Sequence, residues 1–269
     1  MITDYHTHSW RCGHATGILA EYVETAIARG VGEIGLTDHI YLYYQPAADR
    51  NSEWAMPESQ YSEHYREMLA VRDQFRKEIP VRISVEADYV EGFEAELRRF
   101  LDEYEFDYVL GAVHFMDGWL IDAPENSDRY RDGNVAEIYR RYYLQMAKAV
   151  RTGLFDVMAH LDLPKKFGHP PDGDVSAELD ELLDTIEATG TVVEVSTAGL
   201  RKPIGEIYPS PAIITEIAKR NIAIVLSSDA HAPGEIAAGF TSTIRLLRDL
   251  GIHQVTTFAG RKKTVVPLG

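Results

Sequence analysis

Short, nearly continuous apolar runs recur along the chain at 33–39 (EIGLTDH), 81–89 (VRISVEADY), 108–115 (YVLGAVHF), 155–163 (FDVMAHLDL), 191–199 (TVVEVSTAG) and 223–231 (AIVLSSDAH). Short β-branched or apolar runs of this kind predict strands of a parallel sheet covered by helices. Between them the period changes to that of a helix. Leu19, Tyr22, Val23, Ala26 and Ile27 share one helical face, and Gly30 follows as a stop. Val135, Ile138, Tyr139, Tyr142 and Met146 form a second stripe; Leu179, Leu182, Leu183 and Ile186 form a third, closed by Gly190. Ser210 and Pro211 are an N-cap and first-turn pair ahead of AIITEIAKRN. Residues 91–107 predict a charged helix with an apolar stripe, to which no chemistry is assigned. Strands alternating with helices predict an α/β fold with a parallel sheet. With MITDYHTH as a first strand the chain holds about seven β/α units, so a distorted (β/α)7 barrel is expected, built by residues 1–269 as a single domain. A doubly wound open sheet is the alternative, but residues 9–17 lack the glycine-rich phosphate turn it would need.

Composition narrows the field of functions. A formal net charge of −15 opposes nucleic-acid binding, and no apolar run is long enough to span a bilayer. The start of the chain lacks the pattern of a signal peptide, and Cys12 is the single cysteine, so a reducing cytoplasm is expected. The oligomeric state is not legible.

The candidate chemistry lies at the ends of the predicted strands. DYHTHSWRCGH (4–14) holds His6, His8 and His14. On a strand, the i, i+2 spacing of His6 and His8 points both rings to one face. The second strand ends at Asp38-His39, the third at Glu86, the fourth at His114, the fifth at His160 and the last at Asp229 and His231. In a β/α barrel those ends form the functional face. Seven of the ten histidines obey this one rule, whereas His64, His169 and His253 are taken as surface or loop residues. Imidazole and carboxylate without thiolate suit Zn, Fe or Mn, so Cys12 is taken as a bystander. The long stretch 41–58 is expected to form a lid or substrate wall, with Tyr41, Tyr43, Tyr44 and Trp54 as its aromatics.

In this order HTH, TDH, VEADY, AVHF, AHLDL and SSDAH resemble the motifs of the PHP (polymerase and histidinol phosphatase) superfamily over essentially the whole chain, and STAGLRKPIGEIYPS (196–210) resembles the signature of its histidinol-phosphate phosphatase branch. The resemblance implies three divalent metal ions. His6, His8, Glu86 and Asp229 would hold the first; Glu86 would bridge to a second completed by His114 and His160; His14, His39 and His231 would hold the third.

Clustered divalent ions activate water and clamp the oxygens of a phosphate ester. The expected reaction is hydrolysis of L-histidinol phosphate to L-histidinol and inorganic phosphate by metal-activated hydroxide. Another small phosphate ester, such as a nucleotide or sugar phosphate, is the alternative substrate. Arg201 is the expected catalytic cation for the phosphoryl oxygens, with Arg129 and Arg131 as further substrate-binding candidates. Asp38 would either orient a ligand histidine or protonate the leaving group. Glu206 is the candidate for the cationic end of the substrate. A non-catalytic PHP module and a metal-dependent amidohydrolase are the readings from other classes; the complete ligand set disfavours the first.

Overall fold

The structure is a computed structural model that describes residues 1–46, 50, 53–131 and 134–269. Its strands are β1 (Thr3–Asp4), β2 (Glu33–Leu36), β3 (Val81–Ile83), β4 (Glu86–Asp88), β5 (Leu110–Ala112), β6 (Phe115–Met116), β7 (Trp119–Leu120), β8 (Val157–Met158), β9 (Val192–Ser196), β10 (Ile224–Ser227), β11 (Gln254–Ala259) and β12 (Lys262–Pro267). The helices are α1 (Leu19–Ala28), α2 (Glu58–Phe75), α3 (Glu94–Asp102), α4 (Val135–Arg151), α5 (Ser176–Thr189), α6 (Pro211–Lys219) and α7 (Phe240–Asp249).

Two parallel sheets, ordered β1-β2-β3 and β10-β9-β8-β5-β4, close on one another into a barrel. At one seam Tyr5 N donates to Leu226 O at 3.1 Å and His8 N to Ala230 O at 2.8 Å, which joins the first strand to β10. At the other, His39 pairs in parallel with Glu86, and Glu86 N donates to Thr37 O at 2.9 Å. The predicted third strand is thus two pieces. β3 pairs with β2 and β4 with β5, and the break at Ser84-Val85 carries the chain from one sheet to the other. Counting β3 and β4 together, seven parallel strands each lead into one of the seven helices described.

The helical stripes match expectation, and Gly190 closes α5 in the left-handed conformation (φ 69°). α2 was not picked out in the sequence. Its buried face is Tyr61, His64, Met68, Val71 and Phe75, so treating His64 as a surface residue hid the stripe. The antiparallel hairpin β11–β12 was likewise not expected. It plugs the end of the barrel opposite the strand tips, where Phe258 packs against Tyr5 and Tyr108. No described helix is long and apolar enough to cross a membrane.

Candidate metal centre

Alternation along the strands carries side chains from the barrel interior to its rim. Leu110 and Ala112 lead to His114, Val192 leads to Glu194, and Val225 leads through Ser227 to Asp229 at steps of two. The four apolar residues are fully buried, and the polar ones lie further along toward the strand tips. All nine residues expected as ligands meet there.

Glu86, the first residue of β4 rather than a strand end, is the focus. Its Oε2 lies 3.1 Å from His6 Nε2, 3.4 Å from His8 Nε2 and 3.0 Å from His39 Nδ1. Its Oε1 lies 3.2 Å from His160 Nε2 and 3.7 Å from His114 Nε2. Asp229 Oδ1 is 3.6, 3.2 and 3.5 Å from His6 Nε2, His8 Nε2 and His231 Nδ1. The rings of His8, His39 and His231 stack, at 4.3 Å between His8 and His39 and 4.4 Å between His8 and His231. His14 closes the group at the rim, its ring 4.9 Å from His231 and 5.4 Å from His39. Ligand atoms in the sets His6–His8–Glu86, His39–Glu86–His114, His8–His39–His231 and Cys12–His14–His231 lie within 4.8 Å of one another. His39 therefore stands between Glu86 and the outer histidines.

Burial pushes the His8 imidazole well below its usual pKa, and His39 and His231 push it the same way. Burial, chiefly, also lowers His14, and it takes His231 to about 4. These rings are neutral at pH 7 and offer lone pairs. Burial favours the neutral acids at Glu86 and Asp229, but the surrounding imidazoles outweigh it and hold both carboxyls well below their ordinary values. His6 Nε2 and His8 Nε2 lie 2.8 Å apart, where a single proton fits, between two anionic carboxylates. A divalent cation satisfies this donor set better than protons do. The site's residues thus fit the implied metals.

The outer contacts were only partly legible. His6 Nδ1 donates to Glu194 Oε1 at 2.6 Å, and His114 Nδ1 to Asp88 Oδ1 at 2.8 Å. A lone charge within VVEVS and a carboxylate two residues beyond Glu86 were the available signals. Asp38 is buried, and its oxygens accept from Ser9 N (2.6 Å) and Ser9 Oγ (2.8 Å). His64 Nε2 lies 3.1 Å from the same carboxylate and is fully buried, contrary to the surface placement expected. Burial pushes the Asp38 carboxyl up, but His64 and Ser9 hold it at about 2. Asp38 is therefore held as an anion and walled off, which opposes the proton-donor role; its hydrogen bonds tie the loop between His8 and His14 and, among the described residues, reach no expected ligand histidine. His169 is half-buried and stacks on Tyr130, while His253 is exposed.

The expected substrate residues lie elsewhere. Arg201 donates through Nη2 to Ser228 O (2.7 Å) and Asp229 O (3.1 Å) and pairs through Nε with Glu235 (3.2 Å), leaving Nη1 buried without a partner. Arg129 is exposed over Trp119, and Arg131 is exposed beside Asp128. Glu206 accepts from Lys165 Nζ at 2.6 Å. None of the four lines the cleft above the histidines. The cleft presents Lys202 and Lys166 instead, both missed in the sequence. Lys166 Nζ is held by Asp122 Oδ2 at 2.8 Å; the Lys202 ammonium has no partner among the described residues. Tyr44, Trp54 and Tyr208 wall the cleft. Tyr44 and Trp54 come from the long 41–58 stretch expected to form a lid or substrate wall, of which residues 47–49 and 51–52 lie outside the described residues.

The model of the family described as "PHP domain" matches residues 4–198. A "Probable histidinol-phosphatase" of Deinococcus radiodurans is 38% identical over 263 residues, covering 97% of this chain and 98% of its own length. The histidinol-phosphatase of Bacillus subtilis is 26% identical, over 88% of this chain and 96% of its own. Among solved structures, a histidinol phosphate phosphatase from Lactococcus lactis, complexed with zinc, L-histidinol and phosphate, superposes with a TM-score of 0.83 at 22% identity, covering 98% of each chain.

Proposed function

Because the chain belongs to the PHP domain family, we propose that it is a metal-dependent phosphomonoesterase that hydrolyses L-histidinol phosphate to L-histidinol and phosphate. The observation that carries the reading is the convergence of seven imidazoles and two carboxylates on one rim, with Glu86 contacted by five of the rings. The near full-length relatives named for this activity support the substrate. In this reading His6, His8, Glu86 and Asp229 would hold one divalent ion, Glu86, His114 and His160 would hold a second, and His14, His39 and His231 would hold a third. Zn, Fe and Mn suit the donors, and bound ions of this kind activate water and stabilise charge at phosphorus.

The chain's own residues do the rest. Lys202, whose ammonium has no ion-pair partner among the described residues, faces the phosphoryl group with its full charge to offer, and Lys166, held by Asp122, lines the same cleft. Arg201 holds the backbone at 228–229 and so the position of Asp229. The aromatic wall of Tyr44, Trp54 and Tyr208 faces the remainder of the substrate, whose ammonium and imidazole suit π-faces. Residues 1–269 act as one unit here, supported by the hairpin that plugs the barrel. The free, buried Cys12 supports a cytoplasmic location.

The test is phosphate release from a panel of phosphomonoesters after loading with Zn, Mn or Fe. Preference for L-histidinol phosphate by kcat/KM is expected. Equal rates on nucleotide and sugar phosphates would leave only the metal phosphoesterase, and no release with any metal would remove that too.

A further inference from the structure

Glu194 sits in the middle of β9, fully buried in a strand whose five residues are all buried. It does not line the cleft and is not among the expected ligands. Its hydrogen bonds go to three neighbouring strand tips. Oε1 accepts from His6 Nδ1 at 2.6 Å and from Ser227 Oγ at 2.7 Å, and Oε2 accepts from the backbone N–H of His160 at 2.9 Å. No lysine or arginine pairs with it among the described residues; its charged contact is His6 itself. A buried carboxylate is costly, and at this position valine would complete the apolar strand without that cost.

We propose that Glu194 is a positioning residue that sets two ligands of the metal centre at once; the inference rests on the metal-centre reading above. By accepting the Nδ1 proton of His6 it leaves the Nε2 lone pair facing Glu86 and Asp229. By accepting the His160 N–H it holds that residue in the left-handed conformation (φ 25°) that brings its Nε2 to 3.2 Å from Glu86 Oε1. One carboxylate can serve both because each oxygen faces a different strand. An amide cannot, since only one of its two ends accepts a hydrogen bond.

Glu194→Gln keeps the shape and removes one of the two acceptors. Zinc affinity of the purified protein, measured by competition with a chelator, is expected to fall about 10- to 100-fold. The change should not follow the thermal midpoint of the chelator-stripped protein. Ser227→Ala removes a bond to the same oxygen without touching either ligand, and its zinc affinity should stay near wild type. In the zinc-loaded wild-type protein, nitrogen-15 spectra should show the His6 proton on Nδ1. A Glu194→Gln variant with wild-type zinc affinity would overturn the proposal. So would an equal loss in Ser227→Ala, or a His6 proton on Nε2, which needs no variant to fold. If the wild-type protein takes up no zinc, manganese or iron, the metal-centre reading is what fails.

Discussion

At the scale of single residues, Glu86 is where the imidazoles of four strand tips meet, and both of its oxygens are engaged. Glu86→Gln removes the charge without changing shape. Metal content, read by elemental analysis, should fall, and turnover should drop by a factor on the order of 100 or more, while circular dichroism stays native. Unchanged phosphate release would refute the assignment. Lys202 and Arg201 are adjacent in sequence but have different surroundings. Lys202→Ala should lower kcat/KM by about 10- to 100-fold with metals retained, as for loss of a charged hydrogen bond of roughly 1.5–3 kcal/mol. Arg201→Ala should act through metal retention, because its guanidinium holds the backbone of Asp229. The reverse pattern would restore Arg201 as the phosphate contact. The ligand types and their placement at strand ends were legible in GLTDH, AVHF and SSDAH; which cation is free was not. That depends on Glu235 and the 228–229 carbonyls competing for Arg201, contacts about thirty residues away in sequence.

At the scale of elements, two features shape the barrel. One is the close approach of β2 to the tyrosines inside it. A Cβ on Gly35 would lie 1.9 Å from Tyr108 Oη, and that hydroxyl is tied to Tyr5 O, so it has nowhere to go. Gly35→Ala should cost about 1–3 kcal/mol in urea unfolding, as overpacking does. The other is the β11–β12 hairpin, whose Arg261 pairs with Asp156 at 2.8 Å at the foot of β8. Burial pushes the Asp156 carboxyl above its ordinary value, despite Arg261 beside it. A carboxyl raised in the folded state contributes stability that is fully present below the unfolded pKa and lost as pH rises through the folded one. The wild-type urea midpoint should therefore fall relative to that of Asp156→Asn as pH increases through this window; a constant difference would show that Asp156 does not titrate there. The parallel strands of the barrel and most helices could be read from periodicity. The break between β3 and β4 could not, because VRISVEADY runs up to Glu86 with no glycine or proline to mark a turn and only pairing with two different neighbours divides it.

At the scale of the whole molecule, the barrel gathers anionic Glu86 and Asp229 with seven imidazoles in a chain of net charge −15. Cations that bind this folded arrangement stabilise it by mass action, by about 2.7 kcal/mol at a hundredfold excess over Kd. Stripping with a chelator should lower the thermal midpoint by several degrees, and added zinc should restore it; a midpoint indifferent to chelation would count against resident ions. Local patterning by itself determined the β/α alternation and the face on which the chemistry would lie, with histidines and carboxylates at the strand ends; the resemblance to the PHP motifs singled out nine of them as expected ligands. Period, strand length and residue type are properties of neighbouring positions, so a sequence carries them directly. Only the tertiary structure decided which nitrogen of His6 faces inward, that His64 is buried against Asp38, and that Lys202 faces the cleft with its charge unspent. These depend on partners far apart in the chain, 188 residues apart for His6 and Glu194, and on competition for each donor that exists only once the barrel has closed.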